Sequence, residues 1–302
     1  MTRAKQPKPV PQMTIPQFED MFPDEDACAE YLIARRWAGE VRCPRCGNTK
    51  VYALASGRHW QCHNCNPSGY RFSHISGTVF ENTKKPLREW YRVIHMMLTS
   101  KKGVSALQVQ RVMGFKSYET AHYMCHRIRA ALVEQDMDKL GGVVEVDETF
   151  VGGKDHNRHW DKKSGGTGGS ASNKFIIIGA VERNGNAVTR VIERTDTATF
   201  DRFVRETVSD KVSLLTTDEH SGYRMLKDVY PHQFVRHGAG QYVTGAVHTN
   251  TIEGYWSIFK RGVVGTFHKV SRKYLPLYIA EFQFRYNNRM NSDIFGSAVS
   301  RV

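Results

Sequence analysis

Three carboxylates occupy positions where acidic side chains are costly or unexpected. Asp147 lies inside the predicted strand 143–151, Asp218 follows the apolar run that ends at Leu215, and Glu253 opens a predicted amphipathic helix. Acidic residues are disfavoured in strands, so this placement needs a reason. Three acids from two strands and a helix can converge on a pair of hard divalent cations, and such a pair catalyses reactions of phosphodiesters.

Each of these acids also has an ordinary structural explanation. Asp147 could lie on the solvated face of an edge strand, and Glu145 shares that face as a competing candidate. Asp218 could cap the helix that follows it. Glu253 could complete a capping box in which Asn250 is the N-cap residue. The residue types alone leave these alternatives open.

The predicted helix that contains Glu253 separates polar from apolar side chains. At about 100° per residue, Glu253, Ser257 and Lys260 share one polar stripe. The apolar stripe contains Ile252, Tyr255, Trp256, Phe259 and Val263. Two helical turns bring Lys260 beside Glu253, so the helix could present a metal ligand and a phosphate-binding ammonium group together.

A second metal-binding pattern lies closer to the N-terminus. Two C-x2-C pairs, fifteen residues apart, contain Cys43, Cys46, Cys62 and Cys65. Four thiolates at this spacing complete a tetrahedral shell around Zn²⁺ and leave no open coordination position. The pattern therefore predicts one structural zinc ion, in a ribbon whose hairpin spans 51–61. The remaining cysteines, Cys28 and Cys125, are isolated, which favours a reducing compartment over a disulfide framework.

The charge of the chain favours a polyanionic partner. The formal net charge is +13 over 302 residues, and nucleic acid is the commonest partner of such a protein. The segment from Lys84 to Leu140 contains eleven Lys and Arg but only five Asp and Glu, so nearly half of the net charge falls in this short segment. No apolar run reaches the roughly 18 residues of a membrane span. Residues 1–16 are basic and proline-rich, which predicts a disordered lead-in without a secretory signal.

The order of predicted elements separates two regions. Residues 84–135 are predicted to be helical throughout. Within them, the pattern predicts a helix-turn-helix: one helix begins at Ser105, it breaks at Met113-Gly114, and a longer helix begins at Ser117. From Gly141 onwards, three strands are followed by alternating helices and strands and then two more helices, the order of a ribonuclease-H-like α/β domain. Within it, a Gly/Ser stretch at 164–172 follows a basic segment that begins at Lys154. It could be a flexible arm along a phosphate backbone or an inert insertion.

Three segments together resemble bacterial insertion-sequence transposases of the ISXO2-like type, which have an N-terminal zinc ribbon and a DDE catalytic core. The segments are Val146-Asp-Glu-Thr149, Thr217-Asp-Glu-His220 and His248-Thr-Asn-Thr-Ile-Glu-Gly-Tyr-Trp-Ser-Ile-Phe-Lys-Arg261. The resemblance covers nearly the whole chain, from Phe22-Pro-Asp24 to Tyr286-Asn287. It is specific because the pieces occur jointly and in order.

The resemblance implies an α/β fold with a ribonuclease-H-like core, preceded by a zinc ribbon and an all-α helix-turn-helix region. The expected divisions are a lead-in at 1–16, a helix and zinc ribbon at 17–80, the helix-turn-helix region at 81–140 and the catalytic domain at 141–302. Asp147, Asp218 and Glu253 would be the catalytic triad. Some members of the family place asparagine at the third position, so Asn250 remains an alternative to Glu253.

The activity implied by the resemblance is cleavage at transposon ends and strand transfer into target DNA. Two Mg²⁺ ions, with Mn²⁺ as a substitute, would act in catalysis, and one Zn²⁺ would be structural. Lys260, Arg261 and Lys154 would contact DNA. The partners would be the terminal inverted repeats, target DNA and a second copy of the chain, in the bacterial cytoplasm at the nucleoid. Two alternatives remain: a domesticated, non-catalytic DNA-binding regulator, and a ribonuclease-H-like nuclease without strand transfer.

Overall fold

A computed structural model describes residues 12–55, 57–65, 68–134, 137–152, 174–235 and 247–302. The described residues form two compact units. One contains the chain up to Leu132 together with Asn288–Val302, and the other is Val133–Asn287. The last fifteen residues, expected within the segment 141–302, therefore group with the N-terminal unit. Over the described ranges, no helix is both long and apolar enough to cross a membrane.

The N-terminal unit is mainly helical and includes a small sheet. Its helices are α1 (Ile15–Met21), α2 (Glu25–Trp37), α3 (Leu87–Thr99), α4 (Ala106–Met113), α5 (Tyr118–Ala131) and α9 (Ile294–Val299). The sequence predicted one short helix before Trp37, whereas the structure has two. Pro23 cannot continue α1 because it lacks a backbone N–H, and Asp24 starts α2 by accepting a hydrogen bond from the N–H of Ala27 at 2.9 Å.

Helices α4 and α5 are joined by a short turn, as the sequence pattern predicted. Ser105 is the N-cap residue of α4, and its hydroxyl accepts from the N–H of Gln108. Gly114 ends α4 in the left-handed conformation, with φ of 66°. Ser117 then caps α5. Val109, Ala121 and Met124 are buried between the helices and their neighbours, so the pair is held by an apolar interior as well as by its caps.

The second unit is built on a five-stranded mixed sheet. Its strands are β4 (Val143–Val151), β5 (Phe175–Glu182), β6 (Ala187–Ile192), β7 (Leu214–Thr217) and β8 (His232–Phe234), in the spatial order β6-β5-β4-β7-β8. The first three strands are antiparallel, and β4, β7 and β8 are parallel. This mixed sheet is the arrangement of a ribonuclease-H-like core, as predicted.

Helices cover both faces of this sheet. Helix α6 (Thr197–Thr207) and a 3-10 helix (Ser221–Asp228) pack on the face that contains Val144 and Val146. Helices α7 (Asn250–Gly262) and α8 (Leu275–Asn287) pack on the opposite face. The helix expected after Asp218 is a 3-10 helix, which begins at Ser221.

Amide side chains of α8 close the outer edge of β6. Gln283 Oε1 accepts from the N–H of Thr189 at 2.8 Å, and Asn287 Oδ1 accepts from the N–H of Ala187 at 2.7 Å. Asn287 also donates to the carbonyl of Ala187. Open strand edges invite pairing with other chains, so these two side chains, one helical turn apart, satisfy an edge that would otherwise be exposed.

Candidate active site and zinc centre

The four cysteines of the C-x2-C pairs meet at one point of the N-terminal unit. They lie beside the three-stranded antiparallel sheet β1 (Val51–Ala53), β2 (His59–Cys62) and β3 (Tyr70–Ser73). The sulfur–sulfur distances are 3.6 Å for Cys43–Cys65 and Cys46–Cys62, and 3.5 Å for Cys46–Cys65. Zinc–sulfur bonds of about 2.3 Å imply a tetrahedral edge of about 3.8 Å. The site therefore fits a structural zinc ion, as the spacing predicted.

The first knuckle is formed by local backbone geometry. Gly47 has φ of 71° and donates its N–H to the carbonyl of Cys43 at 2.9 Å. A backbone N–H of Asn48 lowers the pKa of Cys46 to about 6, so this thiol ionises readily. Trp37, Trp60 and Phe72 pack against the buried cysteines. The ribbon has only this small apolar cluster, so the zinc ion would supply much of its stability.

Asp147 and Asp218 meet because β4 and β7 are parallel neighbours. Their register pairs Glu145 with Thr216, so two residues further along the chain Asp147, within β4, lies level with Asp218, which directly follows β7. Asp147, Glu148 and Asp218 form a group whose ligand oxygens all lie within 4.8 Å of one another. The carboxyl end of a parallel sheet is where α/β proteins bind ligands, and here two of the predicted acids lie together.

Glu148 is the member of this group that strand alternation did not predict. Alternation placed it on the opposite face from Asp147, with Val144 and Val146. However, β7 ends at Thr217, so no strand flanks that side of β4 beyond Val146, and side chains of both faces can approach Asp218. The hydroxyl of Tyr223 donates to Glu148 at 2.7 Å. Tyr223 is itself fixed by stacking on Phe200, with ring centroids 4.4 Å apart.

The three carboxyl groups lie close enough to repel one another when they are ionised. Burial raises the pKa of Asp147 to about 7, and the neighbouring charges of Glu148 and Asp218 add to the shift. Burial also raises the pKa of Glu148, although the hydrogen bond from Tyr223 opposes this. Like charges held this close resist joint ionisation. Divalent cations would remove the repulsion, and carboxylate oxygens are the ligands that Mg²⁺ prefers.

Glu145, the competing candidate on the face of Asp147, has a structural role instead. It is fully buried and its carboxylate accepts from the N–H groups of Thr251 and Ile252 at 2.8 and 3.0 Å. Arg183 donates to it at 2.6 Å, and His248 Nδ1 lies 3.2 Å away. A carboxylate at the N-terminus of a helix satisfies unpaired N–H groups and complements the helix dipole. Glu145 therefore fastens the first turn of α7 to β4.

Replacement of Glu145 by alanine is expected to lower the free energy of unfolding by about 3 kcal/mol, because the Nε–H of Arg183 and two helix N–H groups lose their buried acceptor. Urea denaturation of the full chain measures this. Glu193→Ala is the matched control: Glu193 pairs with Arg272 on the surface, where both side chains are mostly exposed, so its removal should cost under about 1 kcal/mol. Equal effects of the two substitutions would contradict the role of Glu145.

Glu253 lies in the first turn of α7, outside the group of oxygens that meet at Asp147. It is exposed, and its carboxylate accepts from the hydroxyl of Thr249 at 2.9 Å. The predicted capping box is not formed: Thr249 is the N-cap residue, Asn250 is the first helical residue, and Glu145 contacts the helix N–H groups. Lys260 and Arg261 are exposed in the last turn of the same helix.

Lys154 and the basic Gly/Ser segment that follows it lie outside the described residues. The region predicted to recognise DNA is described, and α5 exposes Tyr118 and Tyr123, each to roughly half of its surface. Arg127 lies next to Tyr123, with its guanidinium 5.4 Å from the ring centroid. Aromatic and basic side chains on one helix are suited to contact nucleic acid.

Comparisons with known proteins match the two segments of the chain that contain these sites. Residues 139–287 match the family described as the ISXO2-like transposase domain. Residues 23–68 match the transposase zinc-ribbon domain. An uncharacterized protein in transposable element ISH50 of Halobacterium salinarum is 29% identical over 276 residues, which cover 87% of this chain and 91% of that protein. The zinc-ribbon match contains all four clustered cysteines, and the transposase match contains Asp147, Glu148, Asp218 and Glu253. The two matched segments therefore identify an ISXO2-like transposase domain preceded by a transposase zinc ribbon.

Proposed function

We propose that the protein catalyses metal-dependent DNA cleavage at transposon ends and strand transfer into target DNA. The observation that carries this proposal is the meeting of Asp147 and Glu148, in the middle of β4, with Asp218, just beyond the carboxyl end of β7; their oxygens lie within 4.8 Å of one another, inside the segment that matches the transposase family. When bound, two divalent cations would activate the attacking oxygen and stabilise the leaving 3′ oxygen. Mg²⁺ is the expected ion, with Mn²⁺ as a substitute.

Asp147 and Asp218 would hold the cations jointly, and Glu253 would provide the third carboxylate. Glu253 is three residues before Trp256, which places the two on neighbouring parts of the α7 surface. The ring of Trp256 packs beside Gly179, the residue of β5 that is paired with Asp147, so the helix that carries Glu253 covers this part of the sheet. Glu148 is a further ligand candidate because its oxygens already lie beside those of Asp147.

Basic residues would hold the DNA backbone against this site. Lys260 and Arg261 project from the end of α7 that lies two turns beyond Glu253, and ammonium and guanidinium groups bind phosphate oxygens directly. Lys154 is proposed to contribute in the same way. Helices α4 and α5 would bind the terminal inverted repeats, with α5 in the major groove. Pairing of two transposon ends implies at least a homodimer on DNA, acting at the nucleoid.

The test is a reaction with an oligonucleotide duplex that carries the terminal repeat of the element, a supercoiled target plasmid and Mg²⁺. The proposal expects 3′ cleavage at the transposon end and a product in which that end is joined to the plasmid. Cleavage without joined product would instead indicate a nuclease. Binding of the repeat without any Mg²⁺-dependent cleavage would indicate a DNA-binding regulator.

The same reaction identifies the third ligand. We expect Glu253→Gln to reduce cleavage about 10²-fold or more, since a metal-bound carboxylate stabilises charge in the transition state. Asn250→Ala should leave cleavage within about threefold of wild type, because Asn250 is exposed at the start of α7. The reverse ranking would transfer the role to Asn250, and a loss only in Glu148→Gln would transfer it to Glu148. Repeat binding, measured by fluorescence anisotropy, should be unchanged in all three variants.

A further inference from the structure

Trp256 lies against the strand pair that carries Asp147. It belongs to α7, is 3% exposed, and packs in the apolar layer between α7 and the sheet. Gly179 of β5 is paired directly with Asp147 of β4. A Cβ atom on Gly179 would lie 2.7 and 2.9 Å from two carbons of the Trp256 ring. The indole therefore occupies the space that the missing side chain leaves, directly beside Asp147.

The polar end of this indole is unsatisfied within the part of the chain that the structure describes. Trp256 Nε1 is buried and has no hydrogen-bond partner there. An unpaired buried donor costs about 1–3 kcal/mol, and buried tryptophan N–H groups usually find an acceptor. Asp147 is the carboxylate next to this ring, because it is paired with Gly179, the residue on which the ring packs. The donor is thus placed next to a proposed metal ligand without a complete hydrogen bond.

We propose that Trp256 is a positioning residue, whose indole N–H donates to one oxygen of the Asp147 carboxylate when the other oxygen binds a divalent cation. Ligating carboxylates are commonly oriented by such a hydrogen bond from outside the metal shell. This inference rests on the proposed metal site, and it adds a function for Gly179: only glycine at this position lets the ring approach Asp147.

Nuclear magnetic resonance of the indole N–H groups tests this directly. The chain has five tryptophans, so ¹⁵N-indole labelling of the full chain gives few signals, and Trp256→Phe assigns the relevant one. Titration with Mg²⁺ is expected to move the Trp256 signal downfield and to slow its hydrogen exchange, since both changes accompany a stronger hydrogen bond. Calorimetry on the same sample measures whether Mg²⁺ binds.

Two outcomes would overturn the inference, and they are distinguishable. If calorimetry shows Mg²⁺ binding while the Trp256 signal and its exchange rate stay unchanged, the proposed metal site stands and the role of Trp256 fails. If Mg²⁺ does not bind at all, both fail. A downfield shift with slowed exchange that is absent from Asp147→Asn supports the inference.

Substitutions give an independent measurement of affinity. Trp256→Phe keeps an aromatic ring but removes the donor, and Gly179→Ala keeps the donor but displaces the ring. Each is expected to weaken Mg²⁺ binding about tenfold. Gly254→Ala is the matched control, since a Cβ there meets nothing within 4 Å, and its affinity should equal that of wild type. Wild-type affinity in a folded Gly179→Ala protein would contradict the inference even if Trp256→Phe failed to fold.

Discussion

Replacement of Asp147 or Asp218 by asparagine is expected to reduce Mg²⁺-dependent cleavage at the transposon end at least about 10³-fold, which corresponds to about 4 kcal/mol of transition-state stabilisation. The amide retains the size of the side chain but supplies no negative charge to a cation. Binding of the terminal repeat should not change, because neither residue lies in the region proposed to recognise it. Single-turnover cleavage and fluorescence anisotropy with the same duplex measure the two properties.

The same substitution of Asp147 is expected to stabilise the metal-free protein. The pKa of Asp147 is raised to about 7 in the folded state, so the folded state binds more protons than the unfolded state between about pH 4 and 7. The stability of the wild type therefore falls as pH rises through this window, and the penalty is fully present above pH 7. Asp147→Asn removes it, so the variant should be more stable by on the order of 3 kcal/mol at pH 8 and similar to wild type near pH 4.

Urea denaturation in the presence of a chelator, at pH 8 and pH 4.5, measures the stability difference. Glu219→Gln is the control, because Glu219 is adjacent to Asp218 but exposed, and it should change neither cleavage nor stability appreciably. A substitution that removes cleavage but stabilises the protein identifies a residue that serves activity at a cost in stability. An Asp147→Asn protein that is destabilised at pH 8, or that cleaves at the wild-type rate, would contradict the assignment.

The sequence predicted best those site residues whose positions follow from secondary structure alone. Strand β4 has the predicted bounds, and parallel pairing with β7 brings Asp147 and Asp218 level. Glu148 could not be predicted, because alternation assigns faces without revealing that β7 stops at Thr217. To predict that Glu148 joins the site, one would have to know where the neighbouring strand β7 ends. That end point depends on tertiary pairing and not on the local sequence of β4.

The start of α7 shows a second limit of local patterns. Asn250 and Glu253 have the spacing of a capping box, yet the helix N–H groups of Thr251 and Ile252 are satisfied by Glu145, more than one hundred residues earlier in the chain. A buried carboxylate outcompetes a local cap because it is charged, fixed by Arg183 and shielded from water. As a result, Glu253 is not used in a capping box, and its exposed carboxylate accepts from the hydroxyl of Thr249 instead.

Substitution of Cys62 by alanine is expected to abolish zinc retention and to unfold the ribbon, because three thiolates leave an incomplete shell and the ribbon has little apolar core of its own. Zinc binding by small domains provides roughly 10–16 kcal/mol near neutral pH, far more than the packing of Trp60 and Phe72 could replace. Zinc content should fall from one ion per chain to none after dialysis. The emission of Trp60, which is 7% exposed, should shift to longer wavelength.

Cys28→Ala provides the control for the loss of a buried thiol. Cys28 is fully buried in α2, and its replacement leaves a small cavity but removes no zinc ligand, so zinc content should remain one per chain. A chelator added to the wild type should reproduce the emission change of Cys62→Ala. If the ribbon stayed folded after zinc removal, the packing of Trp37, Trp60 and Phe72 would be enough to stabilise it. The four cysteines would then have a role other than a structural one. The sulfur–sulfur distances of 3.5 and 3.6 Å argue against this, because they are close to the edge length of a tetrahedron of thiolates around zinc.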